Sequence, residues 1–232
     1  MVNIDTVYQR VLALANKEQR GYITPQEFNL LANQAQMEIF EQYFYDESIQ
    51  DNYLKNSTEM SNIDENLDEK ISIFKRQIGL TISSSGTTTL SNSTYRLGSV
   101  FQSDSMLEIE QVTHEELMYL FQSPLTQPTV DFPVFVRTAD KTIRIYPMTN
   151  MGSNITANVI VKPRKAVWGY VVVMGKALYD LGTSVDFQLH ESDETELVYK
   201  ILSLAGIVIA KPGLGTYGDQ QIATQKTQEK QQ

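Results

Sequence analysis

Residues 20–45, RGYITPQEFNLLANQAQMEIFEQYFY, decide the helical part of the fold. Thr24, Pro25 and Glu27 make a strong helix start. The threonine hydroxyl can accept from an early amide, proline suits the first helical position, and the glutamate can reach back to the cap. Few helix-breaking residues follow, so the stretch predicts a helix of about 22 residues, roughly 33 Å long.

This helix is predicted to have two apolar faces. At 100° per residue, one side gathers Phe28, Leu31, Ala32, Ala35, Ile39 and Tyr43. Roughly opposite lie Leu30, Met37, Phe40 and Phe44. Two apolar faces need two partners. We therefore predict that this second set forms a subunit interface, with the β region folding back onto it as the alternative.

Composition and charge limit the classes of protein that fit. The chain has 232 residues, 41% hydrophobic and 20% charged, which is typical of an ordinary soluble protein with a proper core. A net charge of −9 argues against binding nucleic acid by phosphate neutralisation, although a protein that surrounds DNA without gripping it stays possible. No cysteine is present, which excludes disulfides and thiolate metal sites. The longest apolar run, near 201–210, is too short for a bilayer, so no membrane partner is expected.

The order of patterns along the chain predicts an α+β fold. Residues 1–78 read as a helical region: an N-terminal helical hairpin plus a further helix that starts at Ser61 and ends near Arg76. Residues 79–190 read as an antiparallel β region with one short helix capped by Thr113. A return helix at 191–211 joins the helical region, and 212–232 read as a flexible or partner-ordered tail.

Three strand pairs are predicted within the β region. Residues 80–82 and 88–90 flank the Ser-rich turn 83–86, and residues 134–137 face 142–147 across a short turn. Residues 166–174 and 176–179 form the third pair, over Gly175.

No motif predicts catalysis, a metal or a cofactor. His114 and His190 each lie at a predicted helix start, where capping explains the local residues better than catalysis does. Gly169–Lys176 has the wrong spacing for a phosphate loop, and its β-branched run predicts a strand. The acidic stretch 46–70 lacks the spacing of a calcium loop. We therefore predict that the protein is not an enzyme.

Trp168 and Tyr170 follow the most basic turn of the chain, 162–165. Aromatic side chains beside lysine and arginine could touch a nucleic-acid backbone. The interpretation that we favour is an anchor that fixes the β region to its neighbour.

Several stretches, in this order, carry a family resemblance. They are ANKEQRGYITPQEFN at 15–29, residues 95–101, FPVFVR at 132–137 with IRIYP at 143–147, KPRKAVWGY at 162–170, and VDFQLH at 185–190 running into ETEL at 194–197. With them the chain resembles the neck, or head-to-tail connector, ring proteins of tailed bacteriophages, as in crAss-like and related short-tailed phages. The acidic segment 46–70 has no match in that pattern.

The resemblance implies a structural virion protein in the phage neck, made in the host bacterial cytoplasm. It implies a cyclic homo-oligomer, with about twelve copies around the DNA channel. Expected partners are the portal protein and adjacent tail or ring proteins, with genomic DNA passing through the lumen without specific binding. The alternative is a phage accessory or tail-adaptor protein outside the neck ring.

Overall fold

The predicted α+β fold is confirmed within residues 1–17, 23–53, 61–148 and 155–208, which a computed structural model describes. The helices are α1 Ile4–Lys17, α2 Pro25–Tyr53, α3 Ser61–Ser72, α4 His114–Gln122 and α5 Glu194–Val208. The strands are β1 Lys75–Leu80, β2 Thr87–Thr89, β3 Thr94–Gln102, β4 Leu107–Gln111, β5 Val134–Ala139, β6 Thr142–Tyr146, β7 Ile155–Val161, β8 Tyr170–Val173 and β9 Lys176–Tyr179.

The chain forms two units whose limits differ from the predicted ones. One unit comprises Met1–Ile73 with Pro163–Gln232, and the other is Phe74–Lys162. The predicted β region 79–190 therefore loses 163–190 to the helical unit, because the extended backbone of that segment bonds to side chains of α2. The end of the predicted return helix and the predicted tail 212–232 lie outside the described residues.

The predicted start of α2 is confirmed. The Thr24 backbone N–H donates to Glu27 Oε2 at 2.9 Å, and the Glu27 N–H donates to Thr24 Oγ1 at 3.3 Å, which is a reciprocal capping box. The helix has 29 residues and is longer than predicted. No proline or glycine occurs between Phe28 and Tyr53, so the sequence offers no stop before that point.

α2 buries one broad stripe instead of two opposite faces. The buried positions are Phe28, Ala32, Ala35, Gln36, Ile39, Phe40, Tyr43 and Phe44. Steps of four residues rotate about 40° around a helix, so the row 28, 32, 36, 40, 44 moves steadily from one predicted face to the other. Both α3 and α5 pack against α2.

The predicted subunit interface needs correction for this reason. Phe40 and Phe44 are buried within the chain and meet edge to face, with ring centroids 5.0 Å apart. Met37 is half-buried. Leu30, 73% exposed, is the one member of the four that is open to a neighbour. The face that we assigned to another subunit belongs mostly to the interior.

The second unit contains a seven-stranded sheet in the order β1-β7-β3-β4-β5-β6-β2. Its strand pairs are antiparallel except for β4 with β5, which are parallel. A parallel pair needs a long crossover, and α4 with the loop after it supplies one. The sheet is therefore mixed, whereas an antiparallel region was predicted.

Two predictions about the first strands are wrong. The third helix ends at Ser72 and not near Arg76, because β1 begins at Lys75 and pairs with β7, from Lys75↔Ile160 to Leu80↔Ile155. The predicted hairpin around 83–86 does not form either, since β2 pairs with β6. The predicted pairing of β5 with β6 is confirmed.

Inward-facing side chains of the sheet form the core of the second unit. These are Leu80, Leu90, Leu97, Val100, Ile109, Phe135, Ile143, Ile145, Ile155, Ala157 and Val159. On the other side of β5, Leu117 of α4 packs with Val134 and Val136. The predicted cap of α4 is confirmed, because Thr113 and Glu116 form a second capping box.

We predict that truncating two apolar residues of α2 has different effects on stability, because one is buried and the other is exposed. Phe40→Ala should lower the free energy of unfolding by about 3–5 kcal/mol, because it leaves a cavity. Leu30→Ala should change it by less than about 0.5 kcal/mol, because that side chain is mostly in water. Urea denaturation followed by circular dichroism measures both. Equal effects would mean that Phe40 is not a core residue.

The two capping boxes predict a contribution to acid sensitivity. The bond from the backbone N–H of Thr24, helped by its hydroxyl, lowers the pKa of Glu27, and Thr113 lowers the pKa of Glu116 in the same way. A lowered carboxyl pKa contributes stability that is present above the ordinary value near 4.3 and lost as the pH falls through the folded-state value. The Tm of the wild type should therefore fall more between about pH 6 and pH 3 than that of Glu27→Gln with Glu116→Gln. Parallel curves would contradict this.

Candidate assembly surface

Three amide side chains of α2 hold an extended segment of the chain. The Trp168 N–H donates to Asn29 Oδ1 at 2.7 Å, and Asn29 Nδ2 donates to the Trp168 carbonyl at 3.3 Å. The Ala166 N–H donates to Asn33 Oδ1 at 2.9 Å, and Asn33 Nδ2 donates back to the Ala166 carbonyl at 2.7 Å. Gln36 Nε2 donates to the Arg164 carbonyl at 2.8 Å. We call these three residues the amide ladder.

The amide ladder can form because the two-residue repeat of an extended strand is close in length to the four-residue rise of a helix. Alternate residues of an extended strand repeat every 6.6–6.8 Å or so, and four residues of a helix rise about 6 Å. The segment runs antiparallel to α2, so positions 168, 166 and 164 meet 29, 33 and 36 in turn. The last helical step is only three residues, and the longer glutamine reaches across the difference. Each asparagine presents one donor and one acceptor, as a peptide group would.

The other edge of the same segment pairs with the chain before α5. Val167 and Val185 exchange both backbone bonds, at 3.0 and 2.8 Å. Gln36 also accepts from the Gln188 N–H at 3.2 Å, and the Gln188 side chain accepts from the Arg164 N–H at 2.8 Å. Buried peptide groups need partners. Here a helix supplies them on one side and a bridge on the other.

Trp168 connects this segment to α1. Its side chain is 2% exposed, and its ring lies 4.1 Å from that of Tyr8 between centroids. The indole Nε1 donates to Asp5 Oδ1 at 3.0 Å. Tyr170 and Tyr179 each pack on the indole with centroids 5.8 Å away. The structure thus places Trp168 and Tyr170 in the helical unit, where they fix the base of the β8–β9 hairpin.

Beyond this base, the hairpin Tyr170–Tyr179 exposes apolar side chains on both faces, and we call it the hairpin arm. Val171 pairs with Leu178, and Val172 with Ala177. The arm exposes Val171, Val172, Val173, Met174 and Leu178. Its one charged side chain is Lys176. A lone two-stranded hairpin is marginal in water, so an apolar arm of this kind is typical of a surface that binds a partner.

The tip of the arm is unusual. Met174 has φ 50° and Gly175 has φ 77°, so both occupy the left-handed region. A two-residue turn of this kind favours Asn-Gly, because asparagine tolerates positive φ better than methionine does. The chain nevertheless places a methionine there, and its side chain is 100% exposed. Turn stability alone does not account for that choice.

The amide ladder was missed from the sequence, although it left a signal. Asn29, Asn33 and Gln36 are spaced i, i+4, i+7, which aligns them along one side of a helix beside its apolar stripe. The predicted hairpin over Gly175 forms, but its first strand covers only 170–173 instead of 166–174. Its exposure was not predicted. A run of three valines is more typical of a strand buried on both faces.

Two further polar side chains, Asp193 and His190, have structural partners. Asp193 is buried, accepts from the Tyr43 hydroxyl, and lies 2.8 Å from Lys70 Nζ, so it ties α2 and α3 to the start of α5. His190 Nδ1 accepts from the Ser192 N–H at 3.3 Å, as a cap does. No group of three or more potential metal ligands occurs among the described residues.

A cavity of about 500 Å³ lies in the second unit, along residues 79–86 and beside Ser103 and Thr156. Its described lining is hydroxyl and apolar and includes no ionisable side chain. Within the described part of the chain, no helix combines the length and apolar character needed to cross a membrane. Searches with this sequence gave no match to a protein-family model or to a curated protein.

We predict that Asn33→Ala destabilises the protein substantially. It removes both bonds to the Ala166 peptide, and Ala166 is fully buried. Each orphaned buried group costs about 1–3 kcal/mol. Gln34→Ala is the matched control, because its amide is exposed and bonds to Glu38 on the same helix. Urea denaturation of both variants should separate them, and a loss below about 1 kcal/mol for Asn33→Ala would refute the ladder's role.

Proposed function

We propose that this protein is a structural subunit of the phage neck. In this role, copies of the chain form a closed ring below the portal, around the DNA channel, and the mechanism is shape and interface without substrate turnover. About twelve copies would close the ring, as the sequence resemblance implies. Genomic DNA would pass through without specific binding, and the portal protein and adjacent tail or ring proteins would be the neighbours.

The hairpin arm is the observation that carries this proposal. Trp168 and the amide ladder fix the base of the arm, and the apolar side chains at its tip are exposed. Rooting of this kind lowers the entropy cost of association, because the arm is already held in one conformation. A ring needs a heterologous contact, in which a feature of one copy inserts against a different surface of the next. An arm that projects apolar side chains suits that geometry.

The overall charge is compatible with a conduit. A net charge of −9 keeps the protein from binding phosphates strongly over its whole surface. A lumen without strong attraction for DNA would let the genome move through it.

The test is the assembly state of the purified full-length chain. We expect closed rings by negative-stain electron microscopy and a single large species by mass photometry. Labelling of virions should place the protein at the portal vertex. A chain that stays monomeric or trimeric, or that lies elsewhere on the virion, would instead favour an accessory or tail-adaptor protein outside the neck ring.

We predict that Met174→Asn separates folding from assembly. Asparagine suits the left-handed turn position, so the Tm should stay the same or rise. The apolar tip is lost, so the protein concentration needed for half-maximal ring formation should rise at least about tenfold. Met106→Asn is the matched control, because Met106 is also an exposed methionine at positive φ. Equal ring formation by the two variants would exclude the arm from the ring contact.

A further inference from the structure

A second exposed apolar surface lies in the other unit of the chain. It consists of Met118 and Tyr119 on α4, with Leu125 and Phe132 on the loop that follows, and we call it the α4 patch. Leu125 is 96% exposed and Phe132 is 77% exposed. Isolated exposed apolar residues are ordinary, but four within 15 residues of chain, on a helix and the loop that continues it, are typical of an interaction surface.

The α4 patch is held in place by its own hydrogen bonds. The N–H groups of Thr126 and Gln127 both donate to the Ser123 carbonyl at 3.1 Å, and the Thr126 hydroxyl donates to the Leu120 carbonyl at 3.0 Å. Thr129 and Phe132 exchange backbone bonds at 3.3 and 3.2 Å. On the inner side, Leu117 packs on β5. A surface that is already ordered loses little entropy when it binds.

The charges of the two surfaces are complementary. The hairpin arm carries one charge, Lys176, which is positive. Residues 113–132 contain Glu115, Glu116 and Asp131 and no lysine or arginine. Glu116 is engaged in the helix cap, which leaves Glu115 and Asp131 exposed around the patch. Both surfaces are apolar, and the positive charge of the arm is opposite to the negative charges at the rim of the patch, so the two are complementary.

We infer that the α4 patch of one copy binds the hairpin arm of the next. Every copy then carries one donor and one acceptor, which is the requirement for a heterologous interface that repeats around a ring. This inference rests on the proposed ring assembly and names its contact. A standard interface uses about 20–30 residues a side, and the arm has only ten. A single contact should therefore be weak, and closure of the ring should strengthen it.

Complementation of two defective variants tests this pairing. The arm variant is Val171→Thr with Leu178→Thr, which keeps β propensity and removes apolar surface. The patch variant is Met118→Gln with Leu125→Ser, at exposed positions of a helix and a turn. Each variant alone should be a folded monomer by circular dichroism and mass photometry. An equal mixture, at the high protein concentration that one weak contact requires, should give one-to-one heterodimers and nothing larger by analytical ultracentrifugation, because only one functional contact remains.

Each other result has a distinct meaning. If the wild type never associates, both the ring proposal and the pairing are overturned. If the patch variant forms rings as the wild type does while the arm variant does not, the ring proposal stands and the α4 patch is not the acceptor. If both variants are monomeric and their mixture is also monomeric at that high concentration, the arm and patch do not bind each other. Met106→Asn should assemble normally as the matched control.

Cross-linking gives a second readout that does not depend on loss of assembly. The chain has no cysteine, so single cysteines can be placed without background. Met174→Cys and Leu125→Cys proteins, mixed and treated with a short bismaleimide, should give a covalent heterodimer. Met106→Cys in place of Leu125→Cys should not. Equal cross-linking at positions 106 and 125 would overturn the assignment of the patch.

Discussion

The helical unit depends on the amide ladder, in which side chains of α2 replace the neighbour that an extended strand would otherwise need. Without Asn29, Asn33 and Gln36, the backbone groups of Arg164 and of the buried residues Ala166 and Trp168 would lack partners on that edge. The same contact brings Trp168 against α1, and the indole in turn supports both tyrosines at the base of the hairpin arm. One polar contact therefore sets the position of the apolar arm.

This arrangement explains why a marginal element can persist in the fold. A two-stranded hairpin with water on both faces gains little from its own side chains. Its stability comes from the base, where Gly169 lies so close to Thr183 that a side chain there would clash. The fold of the helical unit therefore does not depend on the side chains at the tip. In the proposed ring, Met174 and the valines of β8 bind the neighbouring copy, although asparagine would suit the turn better than methionine does.

Charge and apolar surface are divided between the two units. The helical unit carries the arm with its single lysine, and the sheet unit carries the α4 patch with its acidic rim. A chain with two different apolar surfaces of opposite charge can associate head to tail, and complementary charge then favours the correct partner over a like surface. The helical face that we had assigned to the interface, around Phe40 and Phe44, is instead needed inside the chain.

Local signals determined the parts of the fold that depend on near neighbours in sequence. The capping boxes at Thr24 and Thr113 and the β5–β6 hairpin follow from residues within a few positions of one another, and all of them form. Only the tertiary structure decided which surfaces meet. The burial of Phe40, the pairing of β1 with β7, the partners of Asn29 and Asn33, and the exposure of the hairpin arm each depend on residues far away in the chain. The sequence pattern indicates which side chains can be buried or can form hydrogen bonds. Their partners are decided only when the fold brings distant segments together.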